Sequence, residues 1–305
     1  MGMFKRATGA AVAAVAAVGF GAAARAADLL GQPTPGAIDM QPSAAPLRTQ
    51  QIFMHDHILL PIITAIVLLV LGLLLWCVFR FNSKANPVPA RFSHNTPIEV
   101  IWTVLPVLVL MFIAIFSFKL LYAFHDMPPP DVTVKATGNQ WYWTYEYPDL
   151  KIAEYTSNVL PEDKAKAEGV PYRLAATAPM VVPVGKVVRV LTTGADVIHS
   201  WTVPAFGVKI DAIPGRVNQT WFKAERIGTY YGQCSELCGI DHAFMPIEVR
   251  VVSQADFDAW VKSKGGGAAA AAAASSAPAV ASAPATSSAP AASSAPAASS
   301  APAAK

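Results

Sequence analysis

The chain has 305 residues, 53% hydrophobic and only 14% charged, a balance that suits a membrane protein better than an average soluble domain. Its formal charge of +3 is small and dispersed, which argues against a nucleic-acid-binding protein. Three cysteines without a paired framework exclude a disulfide-stapled fold.

Residues 1–26 carry Lys5 and Arg6, a small-residue apolar stretch, and then Ala24-Arg25-Ala26. That order predicts a secretory signal cut after Ala26 or Ala27, with a first membrane helix as the competing reading. Residues 27–54 are then an exported N-terminal segment.

A two-helix membrane hairpin is expected over 55–125. The stretch from Ile58 to Phe79 holds 22 residues without a charge, about 33 Å of helix at ~1.5 Å per residue. A second span runs from Val100 to Phe118, with Lys119 able to snorkel and Pro106 expected to bend it. Arg80, Lys84 and Arg91 place the connection on the cytoplasmic side, so both mature ends face the periplasm of a bacterial inner membrane.

Residues 126–264 read as an exported all-β domain. "DVTVKATG", "QWYWTYEYP", "KVVRVLTTG" and "PIEVRVV" alternate or are β-branched, with Pro and Gly between them. Such spacing predicts a β-sandwich or Greek-key barrel. The polar stretch 155–172 is expected as a surface loop. "SQADFDAWVKSKG" predicts a closing helix with Ser253 as N-cap and Gly265 past its last turn. Residues 265–305 are almost entirely Ala, Ser, Pro and Gly, predicting a disordered tail without a C-x-x-C-H haem attachment site.

Soft donors concentrate between the last two predicted strands, as Cys234, Cys238, His242 and Met245, with His199 upstream at a strand end. Imidazole, thiolate and thioether together suit copper. A single-copper electron-transfer site needs only one cysteine, so two that could bridge point to two metal ions. A Cys234–Cys238 disulfide and a Cys2His2 zinc site are the alternatives, the zinc site weakened by C-x3-C spacing and the adjacent Met.

"GQCSELCGIDHAFMP", with "DVIHSWTVPAFGVKIDAIPGR" and "GNQWYWTYEYP", closely resembles subunit II of haem-copper cytochrome c oxidases over about residues 50–260. The resemblance implies a cupredoxin fold with a dinuclear copper A centre. Cys234 and Cys238 would bridge two coppers, His199 and His242 would bind one each, and Met245 and the main-chain carbonyl of Glu236 would complete them. The Glu236 carboxylate would also reach a magnesium ion shared with subunit I. Trp141 would receive the electron from a c-type cytochrome, steered by Glu146, Asp149 and Asp196. Residues 126–168 carry eight acids against four bases, which fits a steering face. Ala195 stands where many relatives have a second acid and Asn139 where some have His, which leaves the donor's identity and the salt sensitivity of docking open.

Glu99 matches a glutamate at the mouth of a proton channel of subunit I, although a helix-N-terminal acid is the plain alternative. Haems, oxygen reduction and proton pumping would belong to the partner subunits I and III, so this chain alone would not be a catalyst. Assembly would require a copper chaperone and a thiol reductant, since two exported thiols four residues apart oxidise readily. A quinol oxidase subunit would lack the copper ligands. A membrane-tethered copper-delivery protein would not need Trp141 or Glu99.

Overall fold

The structure, a computed structural model, describes residues 29–267. The predicted signal peptide and nearly all of the predicted tail lie outside the described residues.

Leu, Ile and Val crowd the chain into long helices that are apolar all round, the pattern of a segment solvated by lipid. Helix α1 (Pro46–Met54) runs through a π-helical turn (His55–Leu59) into α2 (Leu60–Arg80). Helix α3 (Thr96–His125) returns and contains Pro106 without interruption. Pro46–Arg80 and Thr96–His125 are both long and apolar enough to cross a membrane, and α2 and α3 bury no residue against the rest of the protein. Both helices extend beyond the charge-free stretches, because each helix continues into the polar residues flanking it.

The β domain follows directly. Strands β1 (Val132–Asn139), β2 (Tyr142–Tyr147), β3 (Ile152–Ser157), β4 (Met180–Pro183), β5 (Val187–Gly194), β6 (His199–Val203), β7 (Val208–Ala212), β8 (Asn218–Lys223), β9 (Gly228–Gln233) and β10 (Pro246–Val252) form three sheets. The largest has the order β3-β2-β1-β5-β8, the second β4-β10-β9, and β6-β7 is a two-stranded ribbon. β1 with β5 and β4 with β10 are parallel pairs within otherwise antiparallel sheets. Such pairs need crossovers between the layers, as a Greek-key sandwich has. The interior is aromatic: Trp143, Tyr145, Tyr147, Trp201, Phe206, Phe222 and Tyr230 are fully buried.

Two local outcomes contrast. Helix α5 (Gln254–Ser263) starts where its cap predicts, Ser253 Oγ accepting the Asp256 N–H at 3.2 Å, and Gly265 follows in the left-handed region at φ 73°. The stretch 155–172, expected as a loop, instead completes β3 and forms helix α4 (Glu162–Glu168). Ala165 faces inward there and is fully buried, which a reading of overall polarity overlooks.

The segment before α1 folds back onto the β domain. Ala44 and Ala45 are buried in its core, Ala44 N–H donates to the Ala205 carbonyl at 2.9 Å, and Glu225 N–H donates to Ala44. Gln51 Nε2 reaches the Gly207 carbonyl at 2.8 Å. The segment before the first span and the domain after the second therefore lie on one side of the hairpin.

Candidate metal centre

β9 and β10 are antiparallel, with Gln233 opposite Pro246, so the chain between them forms one long hairpin connection. Cys234 leaves β9, Cys238 stands midway, a 3-10 turn covers His242–Phe244, and Met245 precedes β10. Ser235 N–H donates to the Ser200 carbonyl at 3.1 Å, fastening the loop to β6, whose first residue is His199. Trp143 Nε1–H donates to the Met245 carbonyl at 3.3 Å from inside the core.

These ties bring the soft donors together. Cys234 Sγ and Cys238 Sγ lie 3.9 Å apart, and neither thiol is in a disulfide. His199 Nδ1 is 3.9 Å from Cys234 Sγ; His242 Nδ1 is 3.4 Å from Cys238 Sγ. Met245 Sδ is 3.4 Å from Cys238 Sγ, and the Glu236 carbonyl is 3.3 Å from Cys234 Sγ. The ligand atoms of His199, Cys234 and Cys238 all fall within 4.8 Å of one another, and the three residues are buried. An ion about 2.3 Å from each sulfur fits between thiolates at this separation. The donor set of two thiolates, two imidazoles, a thioether and a carbonyl is soft and suits copper.

Electrostatics favour the same use. Burial would raise the Cys234 thiol, but hydrogen bonding with His199 and the backbone outweighs it and holds the thiol below its ordinary value. Burial, followed by the charge of Cys234, pushes Cys238 up to about 12. Burial would lower His199, yet Cys234 and Asp196 raise it overall. A cation between the sulfurs would relieve the conflict between two thiolates.

Asp196 is tied inward. Oδ1 lies 2.8 Å from His199 Nε2 and accepts the Val197 N–H, while Oδ2 accepts the Gln140 N–H at 2.7 Å. The carboxylate fixes which His199 nitrogen faces the thiols, as the outer partner of a metal-bound imidazole does. Burial alone would raise its pKa, but the hydrogen bond with His199 and those from the two amides hold it below the ordinary range. The acid was expected from sequence only as a docking charge. The i,i+3 spacing to His199 is the signal that could have revealed this second use.

Trp141 lies on the metal loop, its indole Nε1–H 3.2 Å from the Cys238 carbonyl, which also accepts from Gln140 Nε2 at 2.8 Å. Gly239 makes the approach possible: its φ is 128°, and a Cβ there would stand 2.8 Å from the indole ring. Gly138 plays the same part for His199, whose ring would meet a Cβ at 2.8 Å.

Other expected site residues lie elsewhere. Glu146 pairs with Lys135 at 3.4 Å, and Asp149 sits in the 3-10 turn after β2. Glu146 is five residues along from Trp141, roughly 17 Å by strand rise. Glu236 turns its carboxylate to Lys209 Nζ at 3.0 Å. Glu99 accepts the Asn95 N–H at 3.1 Å while Asn95 Oδ1 accepts the Ile98 N–H, a reciprocal cap at the start of α3.

Comparison with known proteins agrees with this architecture. Residues 132–252 match the family model for the periplasmic domain of cytochrome c oxidase subunit II, and residues 33–120 that for its transmembrane domain. Cytochrome c oxidase subunit 2 of Cereibacter sphaeroides is 48% identical over 277 residues, covering 86% of this chain and 91% of that protein. Probable cytochrome c oxidase subunit 2 of Rickettsia bellii (strain RML369-C) is 48% identical over 233 residues, 76% of this chain and 86% of that one. The crystal structure of the periplasmic domain of subunit II of the Bradyrhizobium japonicum cytochrome oxidase is 56% identical, with a TM-score of 0.42, covering 46% of this chain and 96% of that chain. With both family models matched and a relative aligned over nearly its whole length, the chain belongs to the cytochrome c oxidase subunit II family.

Proposed function

We propose that this chain takes electrons from a c-type cytochrome at Trp141 and hands them to a haem of subunit I through a dinuclear copper A site. Cys234, Cys238, His199, His242, Met245 and the main-chain carbonyl of Glu236 would hold the metal. When bound, the pair of coppers supplies a one-electron relay whose charge is spread over both metals and both sulfurs. The observation that carries this reading is the pair of buried thiols 3.9 Å apart, each beside its own imidazole.

The protein's own residues supply rigidity and a route. Strands β6, β9 and β10 hold the ligands on a packed sandwich, so little of the site needs to reorganise when an electron arrives. Asp196 orients His199, and Trp143 secures the Met245 backbone. The Trp141–Cys238 hydrogen bond provides a short connection from the surface to a ligand. A copper-delivery protein has no use for that contact.

In this reading the β domain and the segment before α1 are periplasmic, the hairpin spans a bacterial inner membrane, and subunits I and III are the partners. The Glu236 carboxylate turns to magnesium at the contact with subunit I, and Glu99 feeds protons to that subunit. Glu146 and Asp149 steer the cytochrome from the far end of β2. A periplasmic thiol reductant and a copper chaperone prepare the two cysteines. The optical and electron paramagnetic resonance spectra of the copper-loaded full chain test the proposal. A mixed-valent two-copper signature is expected, and a mononuclear blue-copper spectrum would overturn it.

A further inference from the structure

Arg173 is one of two non-glycine residues with positive φ among those described, at 67°. Such a backbone costs energy and persists where its surroundings hold it. The Arg173 backbone touches the last residue of β9, and its side chain touches the metal loop. Its carbonyl accepts from Gln233 Nε2 at 3.3 Å, and Gln233 immediately precedes Cys234. Its guanidinium lies 4.5 Å from the centroid of the Phe244 ring, between His242 and Met245. The segment bearing Arg173 is anchored nearby, where the Ala176 N–H donates to the buried Glu248 Oε2 at 2.7 Å.

We infer that Arg173 is a positioning residue that clamps the His242–Met245 turn from outside, through Phe244. Trp143 holds the Met245 backbone from the core side, so the turn is gripped from both faces. Phe244 is only half-buried and makes no hydrogen bond through its ring, so stacking is the means by which its outer face can be held. A planar guanidinium suits this better than an ammonium, because a flat cation can stack on an aromatic face.

The inference deepens the copper reading and rests on it, yet its test does not need metal. The full chain carries Arg173→Gly, Arg173→Lys, Phe244→Leu, or Arg173→Gly with Phe244→Leu. Glycine accepts the left-handed backbone, so Arg173→Gly removes the side chain without adding strain. Amide hydrogen exchange at residues 243–245 is measured first, then the rate of copper release to a chelator. Arg173→Gly should speed both by about two- to five-fold, the range of an exposed cation–π contact. Arg173→Lys should restore only part of the protection, and Arg173→Gly should add nothing once Phe244 is Leu. Unchanged exchange in Arg173→Gly, or an equal effect in the Phe244→Leu background, would overturn the clamp. Failure of the copper reading would show separately, as a wild-type spectrum without the two-copper signature.

Discussion

Trp141 donates its indole N–H to the main-chain carbonyl of Cys238, so a half-buried aromatic in the turn just before β2 is one hydrogen bond from a residue proposed to hold the metal. Trp141→Phe keeps an aromatic ring but loses that bond. We expect it to slow electron transfer at saturating cytochrome c while leaving KM and the copper spectrum nearly unchanged. Stopped-flow reduction of the assembled oxidase checks this. A changed KM with an unchanged limiting rate would move Trp141 to a docking role.

Asp196 carries a different expectation. Loss of its carboxylate in Asp196→Ala frees the His199 ring and strands the Gln140 N–H. Copper affinity should fall by about 10–100-fold, the usual cost of losing an outer partner of a ligand histidine. Competition with a chelator measures it. Asp196→Asn keeps an oxygen for the ring and should lose much less. Identical affinity in wild type and Asp196→Ala would leave only the docking charge.

The two thiols differ from the thioether in what their loss should do. Cys234→Ser or Cys238→Ser should abolish a two-copper spectrum, because each would remove a bridging sulfur. Met245→Leu should retain both coppers and shift the midpoint potential, since a thioether is a weak ligand. Redox titration followed optically separates these outcomes. A normal spectrum in either Ser variant would contradict shared sulfurs.

At the other end of α3, Glu99 is both a helix cap and the proposed proton collector. Glu99→Gln keeps an oxygen for the Asn95 N–H but removes the charge, whereas Glu99→Ala loses both. Turnover of the assembled, copper-replete oxidase should fall several-fold in both variants, with electron uptake at the metal centre unaffected. If only Glu99→Ala is impaired, and only in assembly, the residue is a cap.

Glu248 tests the anchoring of the 158–177 segment. Its carboxylate is buried, accepts the Ala176 N–H and pairs with Arg250 Nε at 2.9 Å. Glu248→Ala leaves a buried N–H without a partner, a loss of about 2 kcal/mol. Thermal unfolding of the full chain in detergent should show it as a lowered Tm.

Much of this protein was legible in its residues one after another. The spans follow from runs without charge, because lipid rejects charge along the whole length of a helix. Helix α5 follows from the Ser253 cap and Gly265, whose effects reach only a few residues along the chain. Cys234, Cys238, His242 and Met245 stand within twelve residues, so their donor chemistry needs no tertiary information to be noticed.

Partnership across the fold required the tertiary structure. His199 joins the cysteines because β6 packs beside β9 and β10, with the Ser235 N–H tying the loop to the Ser200 carbonyl. Trp141 and Cys238 are 97 residues apart, and a glycine at 239 lets them meet. The inward turn of Asp196, the buried face of α4 and the grip of Arg173 on Phe244 are likewise set by packing. Sequence spacing governs groups that share a turn, whereas hydrogen bonds and close contacts between distant strands depend on how the whole sandwich closes.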